Sequence, residues 1–219
     1  MAIYLTLGAF LLATGLSKGQ GQILKDTQDI LDTILSGYNS DIRPAFNQSL
    51  PVEVNITTIY MFHITEFKEV SEQLTSVLVL DLLWEDYRLT WDPLDHNGTE
   101  YVHIPVTKIW KPSLLLTSPV DRNSPIGDNQ NWMVVKCFYD GSIEWTIPDI
   151  VTSRCGIDIR YFPFDTQYCN MLFIPGGYYK GEVLLIGGDE TISLIYYTEN
   201  GAWILEESQV LYEYSSFGM

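Results

Sequence analysis

Apolar positions between Gln22 and Leu35 recur at three- and four-residue steps, as Ile23, Leu24, Ile30, Leu31, Ile34 and Leu35, with Asp and Lys between them. That spacing matches the 3.6-residue turn and predicts an amphipathic helix with one stripe laid on a core. Gly37 stops the helix, and Pro44 and Pro51 carry the chain into another rhythm. From Val52 the alternation is two-fold, with Val52, Val54, Ile56, Tyr60, Phe62 and Ile64 on one side. Glu53, Asn55, Thr57, His63 and Thr65 fall on the other, so a strand with one buried and one wet face is expected. Ser76 to Arg88 is apolar on both sides, the pattern of a strand covered on two faces. Tyr139-Asp140-Gly141-Ser142 predicts a tight hairpin turn, because Asp-Gly takes the positive dihedrals such a turn requires. Ile143, Trp145 and Ile147 follow on one face, and further short strands are expected around Ile104, Leu114, Met171, Leu184 and Ile204. The whole predicts an all-β fold: an antiparallel, immunoglobulin-like β-sandwich preceded by one α-helix.

Length and composition restrict this to one well-buried domain, since 219 residues at 46% hydrophobic and 18% charged supply a single full core. Residues 1–20 carry an apolar run from Ala9 to Ala13 followed by small residues, which reads as a secretory signal, with a buried first helix as the alternative. Residues 21–219 then form the domain, with Gly176-Gly177 and Gly187-Gly188 as loops inside it. No later stretch reaches the roughly 20 apolar residues of a membrane span. The sequons at Asn47, Asn55 and Asn97 agree with export and mark candidate glycosylation sites, Asn55 on the wet face of its strand. Of the three cysteines, Cys155 and Cys169 form the natural disulfide pair, because Cys137 lies in a strand-like run as a small buried hydrophobe.

A formal charge of −16 with only twelve Lys and Arg excludes a nucleic-acid surface, and favours cations or simply solubility. His63, His96 and His103 lack metal-ligand spacing, and no Ser or Cys nucleophile sits in a recognisable turn. No catalytic residue, metal or cofactor is therefore expected, and the chain does not read as an enzyme. Trp84, Asp86, Arg88 and Trp91 read as framework, since indoles and a guanidinium in a half-buried strand usually serve packing.

Cys155 and Cys169 enclose thirteen residues with Phe162-Pro163-Phe164-Asp165 among them, and this stretch resembles the signature of the Cys-loop, or pentameric neurotransmitter-gated, receptors. Tyr38-Asn-Ser-Asp-Ile-Arg-Pro44, Trp84-Glu-Asp-Tyr-Arg-Leu-Thr-Trp-Asp-Pro93, Ile109-Trp-Lys-Pro112 and Trp145-Thr-Ile-Pro148 stand in that family's order. The resemblance covers nearly the whole chain and points to the extracellular ligand-binding domain of the nicotinic branch. It implies a homopentamer of identical subunits holding small ligands at the seams between them, secreted or on the extracellular face of the plasma membrane.

Carried over residue by residue, the resemblance puts Thr117, Gly176, Tyr178, Tyr212 and Tyr214 on the principal face of that seam. Val79, Val135, Cys137, Trp145 and Ile147 would form the complementary face. Thr117, Gly176 and Val79 stand where the family carries aromatic residues, each worth about 0.5–2 kcal/mol to a bound organic cation. The resemblance also implies a cis bond at Pro163. Two readings follow, the first as the expectation and the second as its alternative. The start at Met1 and the lack of a span favour a soluble, acetylcholine-binding-protein-like pentamer for small cationic ligands. The apolar Phe162-Pro163-Phe164 tip favours the extracellular part of a gated channel, whose membrane-spanning domain would cover it.

Overall fold

The computed structural model describes residues 24–117, 125–162, 164–179, 181–188 and 191–211. It opens on helix α1 (Leu24–Ile34), whose Ile30 and Ile34 are buried while the acidic Asp26 sits in the first turn, where the helix dipole favours it. Eight strands follow: β1 (Val52–Lys68), β2 (Gln73–Glu85), β3 (Tyr101–Pro105), β4 (Leu114–Leu116), β5 (Val134–Phe138), β6 (Ser142–Arg154), β7 (Phe173–Pro175) and β8 (Val183–Gly187). Six of them make one sheet in the order β3-β5-β6-β2-β1-β8, and β4 pairs with β7 in a second. Side chains of both sheets, Leu80, Leu82, Trp145 and Ile147 from the larger and Leu114 and Leu116 from the smaller, meet in one core. The sandwich and its leading helix are as expected. It is not wholly antiparallel, because β8 runs parallel to β1. Met171 and Ile204 lie outside any strand among the described residues.

β1 departs from its simple alternation for a definite reason. Its ladder to β2 shifts register between Ile56 and Thr58, between Met61 and His63, and between Ile64 and Glu66. Each bulge inserts one residue and so moves the buried set to the other parity. The core therefore receives Val52, Val54, Ile56, then Ile59, Met61 and Ile64. Tyr60 and Phe62, expected inside, turn to the opposite face.

β2 begins and ends three residues earlier than expected and pairs along its whole length with β6. Leu74, Leu78, Leu80, Leu82 and Trp84 face the core. The Asp140-Gly141 turn joins β5 to β6, with Gly141 at φ +87°. A Cβ at Gly141 would stand 2.7 Å from the Asp86 carbonyl oxygen, so the turn demands glycine on both counts.

Cys155 and Cys169 are bonded, with Cα atoms 4.7 Å apart. The Cys155 amide donates to the Glu72 carbonyl at 2.9 Å, which pins the staple to the β1–β2 turn. Inside the loop the Arg160 guanidinium holds the Asp158 carboxylate down at a pKa of about 2. The tip is bare: Phe162 is 67% and Phe164 90% exposed, with Tyr161 beside them. Pro163, residues 1–23 with the expected signal, and Tyr212 and Tyr214 lie outside the described residues. Among the described residues no helix is long and apolar enough to cross a membrane.

Candidate functional site

Three loops that leave the strands at one end of the sandwich are drawn together by a buried carboxylate. Asp86, just past the end of β2, is fully buried. Arg88 grips it with two donors, Nε to Oδ1 at 2.8 Å and Nη2 to Oδ2 at 2.7 Å, the fork geometry in which a guanidinium neutralises a carboxylate best. The Tyr38 hydroxyl donates to Asp86 Oδ2 at 2.6 Å and accepts the Trp110 backbone N–H at 3.0 Å. Burial, with the hydrogen bond to Asp86 adding to it, pushes the Tyr38 phenol well above its ordinary value. The Arg88 guanidinium also lies 4.3 Å from the centre of the Tyr38 ring. The loop after α1, the turn after β2 and the loop before β4 are thus locked in one network, as the framework reading of Asp86 and Arg88 anticipates. Trp84 is buried against Trp110, ring centres 6.3 Å apart, and Trp91 donates Nε1 to the Thr99 carbonyl at 2.8 Å.

Above this floor a pocket of about 360 Å³ opens, lined by Ser40, Asp41, Thr107, Trp110, Lys111 and Tyr178. Trp110 Nε1 donates to the Tyr178 hydroxyl at 3.2 Å, and the two rings are 6.2 Å apart and tilted. The Lys111 ammonium sits 5.5 Å from the Trp145 ring and reaches Asn131 Oδ1 at 3.5 Å. Three hydroxyls, one carboxylate, one ammonium and an aromatic wall suit a small polar molecule bearing charge.

Of the expected principal-face residues, Tyr178 lines this pocket. Thr117 is exposed at the end of β4, its amide donating to the Leu172 carbonyl at 2.9 Å. Gly176 is buried beneath the rim, its amide 2.7 Å from the Ser113 carbonyl. A Cβ there would meet Ser113 Oγ at 2.7 Å and Leu115 Cγ at 2.9 Å, so the position excludes an aromatic side chain as the loops now lie. Trp110 itself, together with Ser40, Asp41 and Lys111, was not singled out. The Ile109-Trp-Lys-Pro112 motif contains Trp110 and Lys111, and the Tyr38–Pro44 motif contains Ser40 and Asp41.

The complementary-face expectation needs correction. Val135, Cys137, Trp145 and Ile147 point into the core of the protomer and present no surface. Burial raises the Cys137 thiol to a pKa of about 12, with Asp86 and Asp140 adding to it. Successive strand residues face opposite ways, so the solvent side of β5 and β6 belongs to their neighbours Lys136, Glu144 and Thr146. Val79 alone of the five lies on that outer side; it is 9% exposed and pairs in register with Tyr60 and Pro148. The sequons differ as well. Asn47 and Asn97 are exposed, whereas Asn55 is half-buried with Oδ1 closed off from solvent and from any partner.

Comparison with known proteins agrees with the family resemblance of the stapled loop. The family described as neurotransmitter-gated ion-channel ligand binding domain matches residues 27–219. Neuronal acetylcholine receptor subunit alpha-3 of Bos taurus is 34% identical over 178 residues, 80% of this chain and 35% of that protein. Subunit alpha-6 of Homo sapiens is 36% identical over 172 residues, covering 78% of this chain and 34% of the relative. Acetylcholine receptor subunit beta of Rattus norvegicus is 32% identical over 219 residues, covering 91% of this chain and 42% of the relative. The chain thus spans between a third and a half of the length of these relatives.

Proposed function

The chain belongs to the neurotransmitter-gated ion-channel ligand-binding domains, a family of receptor domains and not of enzymes, and from that premise we propose that it is the extracellular, ligand-binding part of a channel subunit. The observation that carries this reading over a freely soluble binding protein is the tip of the stapled loop. Tyr161, Phe162 and Phe164 expose large apolar surfaces side by side, at positions where a soluble chain gains nothing from them. A membrane-spanning domain stacked beneath the sandwich would cover them. In this reading five copies form a ring, and the pocket at Trp110 and Tyr178 opens onto the seam with the next copy.

The ligand we infer is small and amine-bearing, but not held by the aromatic cage of an acetylcholine site. Gly176, Thr117 and Val79 leave that cage without three rings, each worth about 0.5–2 kcal/mol to an organic cation. Tyr178 and the ends of the Trp110 loop supply what remains.

Light scattering of the purified chain, with and without a non-ionic detergent, tests the reading. Association that detergent reverses, and that Tyr161→Ser/Phe162→Ser/Phe164→Ser abolishes, is expected. A wild-type chain that is monodisperse and indifferent to detergent would favour the soluble protein instead. Mass photometry of the detergent-treated chain should show five-fold particles, and acetylcholine should bind with an affinity far weaker than micromolar.

A further inference from the structure

Asn97 closes the short helical turn Pro93–His96, and its backbone takes the left-handed conformation at φ +52°, which asparagine tolerates better than most residues. The Gly98 amide donates to the Pro93 carbonyl at 2.8 Å and fixes the end of that turn. The Asn97 side chain is exposed, and its Nδ2 donates to Asp26 Oδ2 in the first turn of α1 at 2.7 Å. Thr99, the third residue of the sequon Asn97-Gly98-Thr99, is buried, its hydroxyl donating to the His96 carbonyl at 2.7 Å. Two leucines stand bare on the elements that the Asn97–Asp26 bond joins: Leu94 is 87% exposed in the turn and Leu24 83% exposed at the start of α1.

The other two sequons are held differently. Asn47 is exposed as well, but its side chain serves its own loop, Oδ1 accepting the Ser49 amide at 3.0 Å. Asn55 is half-buried on β1, with Leu83 of β2 and Ile186 of β8 in register on its two sides and Oδ1 shut off from solvent.

We propose that Asn97 carries an N-linked oligosaccharide that caps the junction of α1 with the Pro93–His96 turn, while Asn55 stays bare in the folded chain. The inference rests on the function proposed above only in that the chain must be exported. The donor is an oligosaccharide carried on a lipid diphosphate. A bond forms between Nδ2 and the anomeric carbon of the first sugar, and the bond from that carbon to the diphosphate breaks. The diphosphate leaves with the electron pair, and Nδ2 gives up one of its two protons. The N–H that remains still serves Asp26, so the sugar adds a cover over Leu24 and Leu94 without removing the hydrogen bond. On Asn55 the same bulky, hydrated group would have to enter between the side chains of three paired strands.

The wild-type chain, secreted from eukaryotic cells behind a cleavable leader, tests this through glycopeptide mass spectrometry, so occupancy is read without any variant. Sugar at Asn97 and none at Asn55 is expected. Hydrogen–deuterium exchange then reads the cap against the wild-type chain made with oligosaccharide transfer inhibited, which keeps the Asn97–Asp26 bond and lacks the sugar. The amides of α1 should exchange about two- to fivefold faster without the sugar, the worth of covering about one methylene. Asn47→Gln, which removes only the sequon of the other exposed loop, should leave α1 unchanged. A bare Asn97, sugar at Asn55, or α1 exchange that is the same with and without the sugar would overturn the cap. Because the leader supplies export, sugar at Asn97 on a chain that forms no five-membered ring would sink the proposed function and leave this inference standing; a ring with Asn97 bare would do the reverse.

Discussion

The two ends of the sandwich solve the same problem in opposite ways. At the Asp86 end, charges and rings are brought inside and given partners: Arg88 and Tyr38 hold the carboxylate, and Tyr38 holds the Trp110 backbone. At the stapled end, a covalent bond and the surface pair Asp158–Arg160 fix the loop, and its apolar residues are left outside. The first end is complete within one chain. The second is stapled without being covered, which is what a surface prepared for a partner requires.

Removing a buried charge partner breaks the complete end hardest. Asp86→Ala leaves Arg88 beside a hole and should lower stability by about 3–5 kcal/mol, read from the denaturant midpoint at unchanged slope. A loss under about 1 kcal/mol would mean that the network is ornamental. Next comes the staple. Cys155→Ser/Cys169→Ser opens a short loop and should cost about 3 kcal/mol by chain entropy, with the Asp86 region keeping its near-ultraviolet signature until global unfolding.

The pH dependence is smaller and sharpens the contrast, because the buried groups sit at the complete end. Cys137 and Tyr38 both have folded pKa values raised above their unfolded ones. Their contribution is present below the unfolded values and is lost as pH rises, for Cys137 from a pKa of 9.0 through about 12. Stability read from melting curves should therefore stay level to about pH 9 and fall between pH 9 and 11, by up to about 1.4 kcal/mol for each fully uncompensated proton and pH unit. Cys137→Ala should flatten the part beginning near pH 9. A flat profile in the wild type would contradict the burial of these groups. Smallest in stability is Phe164→Ser at the uncovered end, expected within about 0.5 kcal/mol of wild type in chemical denaturation while it reduces self-association.

Much of this was legible before any coordinates. The helix, the Asp140-Gly141 hairpin, the disulfide and the framework role of Asp86 and Arg88 each follow from local chemistry with a short range. The two misreadings that bear on the site share one cause. Parity along a strand is a one-residue matter, and the bulges after Ile56 and Met61 invert it with no mark in the residue types. Simple alternation puts Tyr60 and Phe62 in the core, and the bulges turn them out. Choosing Val135, Cys137, Trp145 and Ile147 for the seam likewise took the core side of two strands whose outer side belongs to Lys136, Glu144 and Thr146. The pocket residues Ser40, Asp41 and Lys111 come from loops far apart in sequence. What joins those loops is a network around one carboxylate, which spacing does not reveal. Gly176 shows the converse: its glycine was visible as a lost aromatic, but the reason, the close approach of Ser113 and Leu115, is tertiary.

Hydrogen–deuterium exchange on the purified chain, with and without dodecyl maltoside micelles, tests most directly whether one end is complete and the other awaits a cover. The amides of Asp86, Leu89, Trp91 and Trp110 should exchange slowly in both conditions. Those of Tyr161 to Tyr168 should exchange rapidly in buffer and become protected in micelles. If the tip stays equally open in both, or the Asp86 amides exchange as fast as the tip, the account is contradicted.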